Sequence, residues 1–294
     1  MNYKIAAIVI TFNRLDFLKE VIQSLKEQTR PIDEIFVIHN SGTDGTTEWL
    51  AAQDGLTVIT QPNVGSSGGQ YTGFKAAFDA GHDWIWTMDD DVIPSTTCLE
   101  ELLKDYDDNR NNNQVSNHNV IRTPLRFLPN GQAFLNDCLK FNLNNPFKSI
   151  WMSIVTNEML ANKRVFAEGI TFEGPIIHRS IVEKIGFPEK KFFIYGDDSE
   201  YFIRARKAGA EIYLYPNATM QRKLTYNDSY DFTWKNQYII RNIIAIDVLH
   251  GNLPVRILRP FAYLIKWLMR SKSINDYKTT LKAFINGYFY KSEN

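Results

Sequence analysis

The sequence predicts an α/β protein whose mostly parallel sheet is flanked by helices and followed by a helical extension. Short apolar runs alternate with amphipathic helical patterns from Ile5 to Tyr106, the order typical of parallel strands joined by crossover helices. Polar or glycine-rich segments follow the strand ends, where open sheets of this class bind ligands. A chain of 294 residues can form one large domain with a smaller appendage.

Apolar runs and helical spacing define the elements of the first half. The predicted strands are Ile5–Ile10, Glu34–His39, Thr57–Thr60 and Trp84–Met88. The predicted helices are Leu15–Gln28, Thr46–Ala52, Tyr71–Ala80 and a helix from Ser95 to Tyr106. Thr97 and Glu100 have the spacing of a capping box at the start of the fourth helix.

The second half has weaker patterns. Residues 105–119 are rich in Asn and Asp, a composition that predicts an exposed loop. Pro129-Asn130-Gly131 predicts a hairpin turn, whereas residues 141–164 show no decisive pattern. The remaining predicted elements are two helices and a strand, at Ile181–Ile185, Glu200–Ala208 and Ile212–Tyr215.

The last sixty or so residues change character. Tyr238–Leu249 and Val255–Met269 are predicted helices rich in aromatic and aliphatic side chains. Basic residues lie within the second helix or after it, at Arg256, Arg259, Lys266, Arg270 and Lys272. Such helices either pack on the rest of the protein or on a second subunit, or lie at a membrane interface. The sequence leaves these alternatives open.

Charge balance and cysteine content limit the classes of function. The 33 basic residues equal the 33 acidic ones, so no global field favours nucleic acid as a partner. The N-terminal residues lack the features of a signal peptide, and no run of about 18 apolar residues predicts a spanning helix. We therefore expect a cytoplasmic protein, at most peripheral on the inner face of the cytoplasmic membrane. Cys98 and Cys138 are predicted to be buried thiols.

Two acidic clusters carry the strongest chemical signal. Asp89-Asp90-Asp91 ends an apolar strand, where Asp89 and Asp91 can face the same way and bind Mn²⁺ or Mg²⁺ with a diphosphate. Asp197-Asp198 follows Gly196 at a helix start, where a carboxylate can deprotonate an acceptor hydroxyl. Each cluster also has a structural explanation, a solvated acidic turn for the first and a helix N-cap for the second.

Polar segments follow the first three strands, at the edge where a nucleotide can bind. Arg14 can meet a diphosphate, and Asn40 or Asp44 can bond a base or a ribose. The backbone amides of Asn63–Gly69 can approach an anion at a helix start. Helix capping or turn formation explains each segment equally well. The glycine-rich segment lacks the G-x-G-x-x-G order after the first strand, which argues against a dinucleotide enzyme.

Taken in order, these segments resemble the inverting glycosyltransferase family 2, whose members have the GT-A fold. The matching segments are Ile8–Arg14, Asn40–Thr46, Asn63–Gly69, Asp89–Asp91 and Phe193–Asp198. The resemblance runs from about Ile5 to Tyr215. The glycine-rich segment and the Asp triplet, together with Tyr238-Ile239-Ile240-Arg241-Asn242, are similar to those of galactofuranosyl and rhamnosyl transferases of bacterial surface polysaccharides.

The resemblance implies a role for each matching residue. The residues implied around the nucleotide are Thr11, Arg14, Asn40, Asp44, Asn63, Gly65, Gly69 and Asp89. Asp89 and Asp91 would bracket the diphosphate with Mn²⁺ or Mg²⁺, and Asp198 would be the base, with Asp197 beside it. Residues 1–225 would form the nucleotide-sugar and catalytic domain, and residues 226–294 a C-terminal helical region.

The implied reaction moves a sugar, with inversion, from a nucleotide diphosphate donor to a glycan or polyprenyl-linked acceptor in surface polysaccharide synthesis. UDP-galactofuranose is the preferred donor, and TDP-rhamnose is the alternative. The rival from another class is a nucleotide-sugar binding protein without turnover. A homodimer and a peripheral membrane contact are the partners suggested by the C-terminal helices.

One position departs from the family's pattern. Members often have a histidine a few residues after the proline that corresponds to Pro216, where it completes the metal shell, but this chain offers Gln221 and Arg222. The metal would then have fewer protein ligands, with Arg222 placed to neutralise the leaving diphosphate. Trp86 and Phe192-Phe193 are the aromatic residues expected to stack on a sugar.

Overall fold

A computed structural model describes residues 3–112, 117–225 and 232–293. It contains a large, mainly parallel sheet flanked by helices, as the sequence predicts. The strands are Ile5–Thr11 (β1), Glu34–His39 (β2), Thr57–Thr60 (β3), Trp84–Asp89 (β4), Val92–Pro94 (β5), Val120–Phe127 (β6), Cys138–Phe141 (β7), Trp151–Ile154 (β8), Val165–Phe166 (β9), Ile176–His178 (β10) and Glu211–Arg222 (β11). The α-helices are Leu15–Lys26 (α1), Thr46–Ala51 (α2), Gly65–Asp79 (α3), Cys98–Asn111 (α4), Arg179–Ile185 (α5), Asp197–Lys207 (α6), Asn236–His250 (α7), Leu253–Arg270 (α8) and Ile274–Tyr288 (α9).

The strand order explains how distant segments meet. The central sheet runs β3-β2-β1-β4-β10-β6-β11-β5, with β9 paired to β11. β1 pairs in parallel with β2 and β4, and β2 pairs in parallel with β3. β10 runs antiparallel to β4 and β6, and it joins the second half of the chain to the first. The segments that follow β1, β2 and β4 therefore share one edge of the sheet.

The apolar runs become central strands because both faces of the sheet are covered. Every residue of β1 is buried. Ala7 and Val9 pack into the core cluster that contains the apolar face of α1, and Ile8 and Ile10 pack into the cluster that contains α3. A strand buried on both faces has a continuous apolar sequence rather than an alternating one, as β1 does.

The third helix begins earlier than the sequence predicts. α3 starts at Gly65, so the glycine-rich segment forms its first turns rather than a loop before Tyr71. A Cβ atom at Gly73 would lie 2.3 Å from Cγ2 of Ile8, and one at Gly69 would lie 2.7 Å from Cγ2 of Ile10. Glycine lets the helix approach β1 closely, and this packing outweighs the low helix propensity of glycine.

The fourth helix extends into the segment whose composition predicts a loop. α4 continues to Asn111, and residues 113–116 of that predicted loop lie outside the described residues. Asp107 accepts a hydrogen bond of 2.6 Å from the Tyr3 hydroxyl and pairs with Arg30. These tertiary contacts hold a polar helical turn that composition alone argues against.

Of the predicted capping box and the predicted hairpin turn, the structure contains only the turn. Thr97 is the N-cap of α4, but the predicted capping box is wrong, because Glu100 instead accepts a hydrogen bond from the Thr29 hydroxyl. The predicted hairpin turn is confirmed: the Gly131 amide bonds the Leu128 carbonyl, and Gly131 has φ of +81°. A positive φ favours glycine at this position.

The last strand of the central sheet is longer than predicted. β11 continues past Tyr215 to Arg222, with a register shift between Tyr215 and Thr219 that contains Pro216. Proline has no N–H to donate, and a bulge lets the strand pass it and resume pairing with β6. Gln221 and Arg222 consequently lie on a paired strand.

The segment without a decisive sequence pattern forms a small layer next to the sheet. β7 and β8 pair antiparallel, and a 3₁₀ turn follows at Asn157–Ala161. Phe141 and Ile150 pack in a cluster with Phe192 and with Ile246 of α7. Cys98 and Cys138 are buried free thiols, as predicted.

The C-terminal residues form three helices, of which the sequence predicts two and misses α9. α7 packs against α6 and α9, and α8 is tied to α7 by the buried pair of Arg259 and Asp247. The boundary between residues 225 and 226 stays a prediction. Within the described ranges, every helix is too short or too polar to cross a bilayer.

Candidate active site

The parallel register brings the predicted residues to one edge of the sheet. Ile10 of β1 is opposite Asp89 of β4, and Thr11 is opposite His39 of β2. The Arg14, Asn40 and Asp89–Asp91 segments therefore lie side by side, although they are far apart in sequence. The parallel strand order by itself places these segments next to one another.

The middle carboxylate of the Asp triplet has a structural role. Asp90 is 3% exposed and accepts hydrogen bonds from the Phe12 amide (3.3 Å) and from Nη1 of Arg14 (3.1 Å). The same Nη1 lies 2.7 Å from Oδ2 of Asp91. Asp90 thus anchors the segment after β1. Asp89 ends β4, whereas Asp90 and Asp91 form the turn before β5, so the predicted alternation of side chains along a strand does not extend through the triplet.

The site concentrates negative charge around Asp89. Burial raises the pKa of Asp89 well above its ordinary value, and Asp91, Glu173 and Asp90 raise it further. A divalent cation would relieve this repulsion, and carboxylate oxygens are the ligands that Mn²⁺ and Mg²⁺ prefer. Asp89 and Asp91 therefore fit such an ion.

The protein ligands for that ion are few. Among the described residues, no group of three or more His, Cys, Asp and Glu side chains is arranged to hold a metal. Asp89 and Asp91 would leave most of an octahedral shell open. The open positions suit the oxygens of a ligand such as a diphosphate.

Glu173 is a site residue that the sequence did not reveal. Its Oε1 lies 3.3 Å from Nη2 of Arg222, and its Oε2 lies 3.8 Å from Nε of Arg126. Arg126 is 0% exposed and also bonds Asp137 at 2.5 Å. A lone glutamate before Gly174 gives no motif, so only the contact between β6, β11 and the chain before β10 identifies it.

The two residues at the position of the missing histidine have different environments. The Gln221 amide donates to the backbone carbonyls of Phe127 and Leu128, at 3.2 and 2.8 Å. Its side chain is therefore occupied by β6 and the turn after it. Arg222 faces Glu173 instead, and its Nη1 is buried without a hydrogen-bond partner in the described structure.

The second acidic cluster begins α6. Gly196 is the N-cap in the left-handed conformation, with φ of +80°, which confirms the predicted tight entry. Burial raises the pKa of Asp198 to about 7, with a further contribution from Asp197, and burial raises the pKa of Asp197 to about 6. A carboxylate with a pKa near neutrality can accept a proton during catalysis at physiological pH.

A pocket of about 310 Å³ opens beside Asp198. Trp151 and Tyr195 line it and are 44% and 42% exposed, and the Trp151 indole lies 3.4 Å from the Ser199 hydroxyl. The lining residues from α7 are Ile239, Asn242, Ile243 and Ile246. The pocket therefore combines a base, exposed aromatic rings and an apolar wall.

The aromatic residues expected to stack on a sugar lie elsewhere. Trp86 is fully buried and its indole donates to the Gly174 carbonyl at 2.9 Å. Phe192 is also fully buried, and the Phe193 ring stacks on Tyr238. The predictions for Trp86 and Phe192 are wrong because these side chains are buried within the protein. Sugar stacking by Phe193, which is partly exposed, stays a prediction. Trp151 comes from the stretch that shows no sequence pattern.

The predicted nucleotide residues all lie near the sheet edge, but protein contacts already engage several of them. The Asn40 side chain donates to the Gly65 carbonyl and accepts from Gln61, at 3.2 and 2.9 Å. Asp44 accepts from the amides of Leu15 and Thr46, the first residues of α1 and α2. Asn40 and Asp44 therefore both have the structural role that the sequence analysis gave as the alternative to nucleotide binding.

Two backbone amides of the glycine-rich segment already have hydrogen-bond partners within the protein. The Gly65 amide donates to the Asn63 side chain at 3.0 Å, and the Ser67 amide donates to the Phe193 carbonyl at 3.1 Å. A Cβ at Gly65 would lie 2.0 Å from that carbonyl oxygen. Gly65 therefore allows contact with the segment before Asp198, and nucleotide binding by Asn63, Gly65 and Gly69 stays a prediction.

Comparison with known proteins identifies the family. A family model described as glycosyl transferase family 2 matches residues 6–170, more than half of the chain. The chain belongs to glycosyltransferase family 2. The glycosyltransferase is 24% identical over 235 residues to galactofuranosyltransferase GlfT1 of Mycolicibacterium smegmatis, with 74% of this chain and 73% of the relative covered. It is 27% identical over 219 residues to GlfT1 of Mycobacterium tuberculosis, with 71% and 66% covered.

Solved structures agree on the fold of the glycosyltransferase. GalNAc-T7 with UDP, GalNAc and Mn²⁺ has a TM-score of 0.68 at 10% identity, covering 96% of this chain and 54% of that one. TarS 1–349 of S. aureus in complex with UDP-GlcNAc has a TM-score of 0.56 at 15% identity, covering 97% and 81%. The predicted GT-A fold is confirmed.

Proposed function

We propose that this glycosyltransferase moves a sugar, with inversion at the anomeric carbon, from a nucleotide diphosphate donor to a hydroxyl of a glycan or lipid-linked acceptor. The observation that carries the proposal is that, in a chain whose residues 6–170 match this family, the segment before Asp198 lies against the glycine-rich start of α3, where the Ser67 amide donates to the Phe193 carbonyl at 3.1 Å. We therefore assign the Asp89 and Asp91 carboxylates at the end of β4 and the Asp198 carboxylate at the start of α6 to two sides of one site. Donor and acceptor can meet between them.

The donor end is assigned to the edge of the sheet. Asp89 and Asp91 would hold Mn²⁺ or Mg²⁺, which would offset the charge of the diphosphate as it leaves. Thr11, Arg14, Asn40 and Asp44 surround the space expected for the nucleotide, with Asn63, Gly65 and Gly69 behind it. Nη1 of Arg222 is buried and has no hydrogen-bond partner among the residues that the structure describes, and Arg222 is the side chain we assign to the departing diphosphate.

The acceptor end is assigned to the pocket at α6. Asp198 accepts the proton of the acceptor hydroxyl as that oxygen attacks the anomeric carbon from the side opposite the diphosphate. The bond to the diphosphate breaks in the same displacement, so no covalent enzyme intermediate forms. Trp151 and Tyr195 are the exposed rings that can pack on a sugar face. Asp197 remains beside the base and adds to the effect of burial, which is the main reason that the pKa of Asp198 is raised.

UDP-galactofuranose is the donor that we propose. The relatives named GlfT1 are galactofuranosyltransferases, and two structural neighbours were solved with UDP or UDP-GlcNAc. By analogy, the product would belong to a surface polysaccharide, and the acceptor would be a glycan or a polyprenyl-linked glycan. TDP-rhamnose remains the alternative donor.

A donor panel tests this proposal. The protein is incubated with UDP-galactofuranose, TDP-rhamnose, UDP-galactose or UDP-GlcNAc, with and without Mn²⁺, and nucleoside diphosphate release and glycosylated products are measured by mass spectrometry. We expect Mn²⁺-dependent turnover of UDP-galactofuranose. Turnover of TDP-rhamnose alone would overturn the donor assignment. Binding of a donor without release from any of them would favour the inactive binding protein.

We also propose that α8 and α9 place the enzyme on an anionic membrane, where a lipid-linked acceptor would lie. Most apolar side chains that are at least 45% exposed form one row on each helix: Leu253, Ile257, Phe261, Ile265 and Met269 on α8, and Ile274, Tyr277, Leu281, Ile285 and Phe289 on or just after α9. Leu258, 47% exposed, lies beside the row on α8. Phe261 contacts Phe284 and Tyr288, which joins α8 to α9. We call these two rows the hairpin surface.

The charge beside the hairpin surface favours lipid over a second subunit. Basic residues outnumber acidic ones between Leu253 and Tyr290, where Asp276 is the sole acid beside Arg256, Lys266, Arg270, Lys272, Lys278 and Lys282. A two-fold dimer through this face would bring the same basic residues together. Anionic headgroups would neutralise them while the apolar rows enter the interface.

Liposome flotation checks this membrane contact. The protein is expected to float with vesicles that contain an anionic lipid at low salt and to be released as salt screens the basic residues. Replacing Ile265 and Ile285 by Gln should weaken flotation, whereas Val58→Gln, on the exposed strand β3, should not. Failure to float at low salt together with a stable dimer in solution would contradict the assignment.

A further inference from the structure

The segment just before Asp197 and Asp198 has backbone dihedral angles that are unfavourable for its residues. Phe193 and Tyr195 both have positive φ, +64° and +67°, and neither is glycine. Such conformations are rare for bulky residues and persist only where surrounding contacts over-determine them. Gly196 follows, and then Asp197 and Asp198 begin α6. The position of Asp198 therefore depends on what holds residues 192–196.

One buried amide side chain from α7 holds this segment. Asn242 is 1% exposed, and its Nδ2 donates to the carbonyls of Phe192, Ile194 and Tyr195 at 2.9, 2.9 and 2.7 Å. Since an amide nitrogen has two hydrogens, three acceptors must share them. Every one of these acceptors belongs to the backbone just before Asp197.

A neighbouring arginine fixes the orientation of that amide. Nε of Arg241 donates to Oδ1 of Asn242 at 2.8 Å, so the oxygen faces Arg241 and the nitrogen faces the segment. Nη2 of Arg241 also donates to the carbonyls of Lys191 and Phe192, at 2.7 and 2.8 Å. The two side chains together supply the donors that this irregular backbone lacks.

The opposite side of the segment is held by α3. The Ser67 amide donates to the Phe193 carbonyl, and Gly65 leaves no room for a Cβ against it. Asn242 also lines the pocket that contains Asp198. Residues 192–196 are thus clamped between the glycine-rich start of α3 and the C-terminal helix α7.

We infer that Asn242 is a positioning residue, which holds residues 192–196 so that the Asp198 carboxylate is aimed at the acceptor hydroxyl in the pocket. The inference rests on the proposed function for the role of Asp198, but the clamp itself is independent of it. It makes α7 part of the active site rather than an appendage. Loss of the three hydrogen bonds would displace the base while leaving the metal carboxylates on β4 in place.

Asn242→Asp is the variant that tests this inference. It keeps the size of the side chain but replaces the donating nitrogen by an oxygen that faces carbonyl oxygens. Because a displacement of about 1 Å can cost about 10²-fold in rate, we expect kcat to fall about 10- to 100-fold. The KM for the donor and Mn²⁺-dependent binding of its nucleoside diphosphate should change less than about twofold, since Asp89 and Asp91 on the other side of the site keep their positions.

Asn236→Ala is the matched control. Asn236 is 4% exposed on the same helix, and its oxygen accepts from the Thr233 amide, away from residues 192–196. Its loss should lower the melting temperature without changing kcat. Hydrogen exchange at residues 193–196 should accelerate in Asn242→Asp and stay at the wild-type rate in Asn236→Ala, and this readout does not require turnover.

The outcomes separate the inference from the proposed function. A wild-type enzyme that transfers sugar while Asn242→Asp keeps kcat within about twofold of Asn236→Ala would overturn the positioning role. A wild-type protein without turnover would overturn the proposed function, while hydrogen exchange would still decide whether Asn242 holds the segment. If Asn242→Asp does not fold, Arg241→Met removes the donors to the carbonyls of Lys191 and Phe192 at the start of the segment and carries the same comparison.

Discussion

Asp198→Asn is expected to lower kcat at least about 10²-fold, the usual contribution of a positioned general base. An amide cannot accept the proton of the acceptor hydroxyl. The variant should remain folded, because removing one of two adjacent buried carboxylates relieves their repulsion. It should also bind the nucleotide donor normally, as measured by calorimetry with Mn²⁺, because the donor end of the site is unchanged.

The pH dependence provides a second readout for the same residue. Because the pKa of Asp198 is raised to about 7, the carboxylate is the minor form below that pH. Wild-type kcat should therefore fall as pH falls through the neutral range, and the residual rate of Asp198→Asn should lose that acid limb. Asp197→Asn is the matched control. An inactive Asp197→Asn beside a nearly normal Asp198→Asn would show that the two roles are reversed.

Asp89→Ala and Asp91→Ala are each expected to abolish transfer. Each change removes a charged oxygen ligand from a site that, among the described residues, already offers few. The Mn²⁺-dependent part of nucleoside diphosphate binding should weaken in both variants. Calorimetric titration of UDP with and without Mn²⁺ measures this directly and does not depend on the identity of the donor sugar.

Asp90→Asn is the control for the metal assignment. Asp90 accepts from the Phe12 amide and from Arg14, so its replacement should lower the melting temperature through the segment after β1. Mn²⁺-dependent binding should persist because Asp90 is not assigned to the ion. Unchanged binding and turnover in both Asp89→Ala and Asp91→Ala would remove the metal role from this site.

Much of the donor side could be predicted from the sequence. The predicted bounds of β1, β2, β3 and β4 agree with the observed ones within one residue at each end. Three of these strands, β1, β2 and β4, are largely buried on both faces and therefore have continuous apolar sequences. Once parallel pairing is inferred, the segments after β1, β2 and β4 must share an edge. That is why local pattern alone groups Thr11–Arg14, Asn40–Asp44 and Asp89–Asp91 at one site.

The sequence motifs on the donor side did not reveal the role of each residue. Asp90, Asn40 and Asp44 use their oxygens and amides in contacts within the protein. Glycine-rich residues that suggested an anion loop instead begin α3, because only glycine fits against Ile8, Ile10 and Phe193. Asn, Asp, Ser and Gly occur in turns, at helix caps and in ligand sites. The spacing of these residues in the sequence therefore does not distinguish the three roles.

The sequence by itself determined the order of the elements from β1 to β4, the family resemblance and the two acidic clusters, because these depend on local pattern. Only the tertiary structure brought in Glu173, Trp151 and the clamp made by Asn242, which come from three separate stretches of the chain. Their roles arise from contacts between the chain before β10, β8 and α7 and the strained segment before Asp198. Such contacts depend on long-range packing, which leaves no periodic signal in the chain.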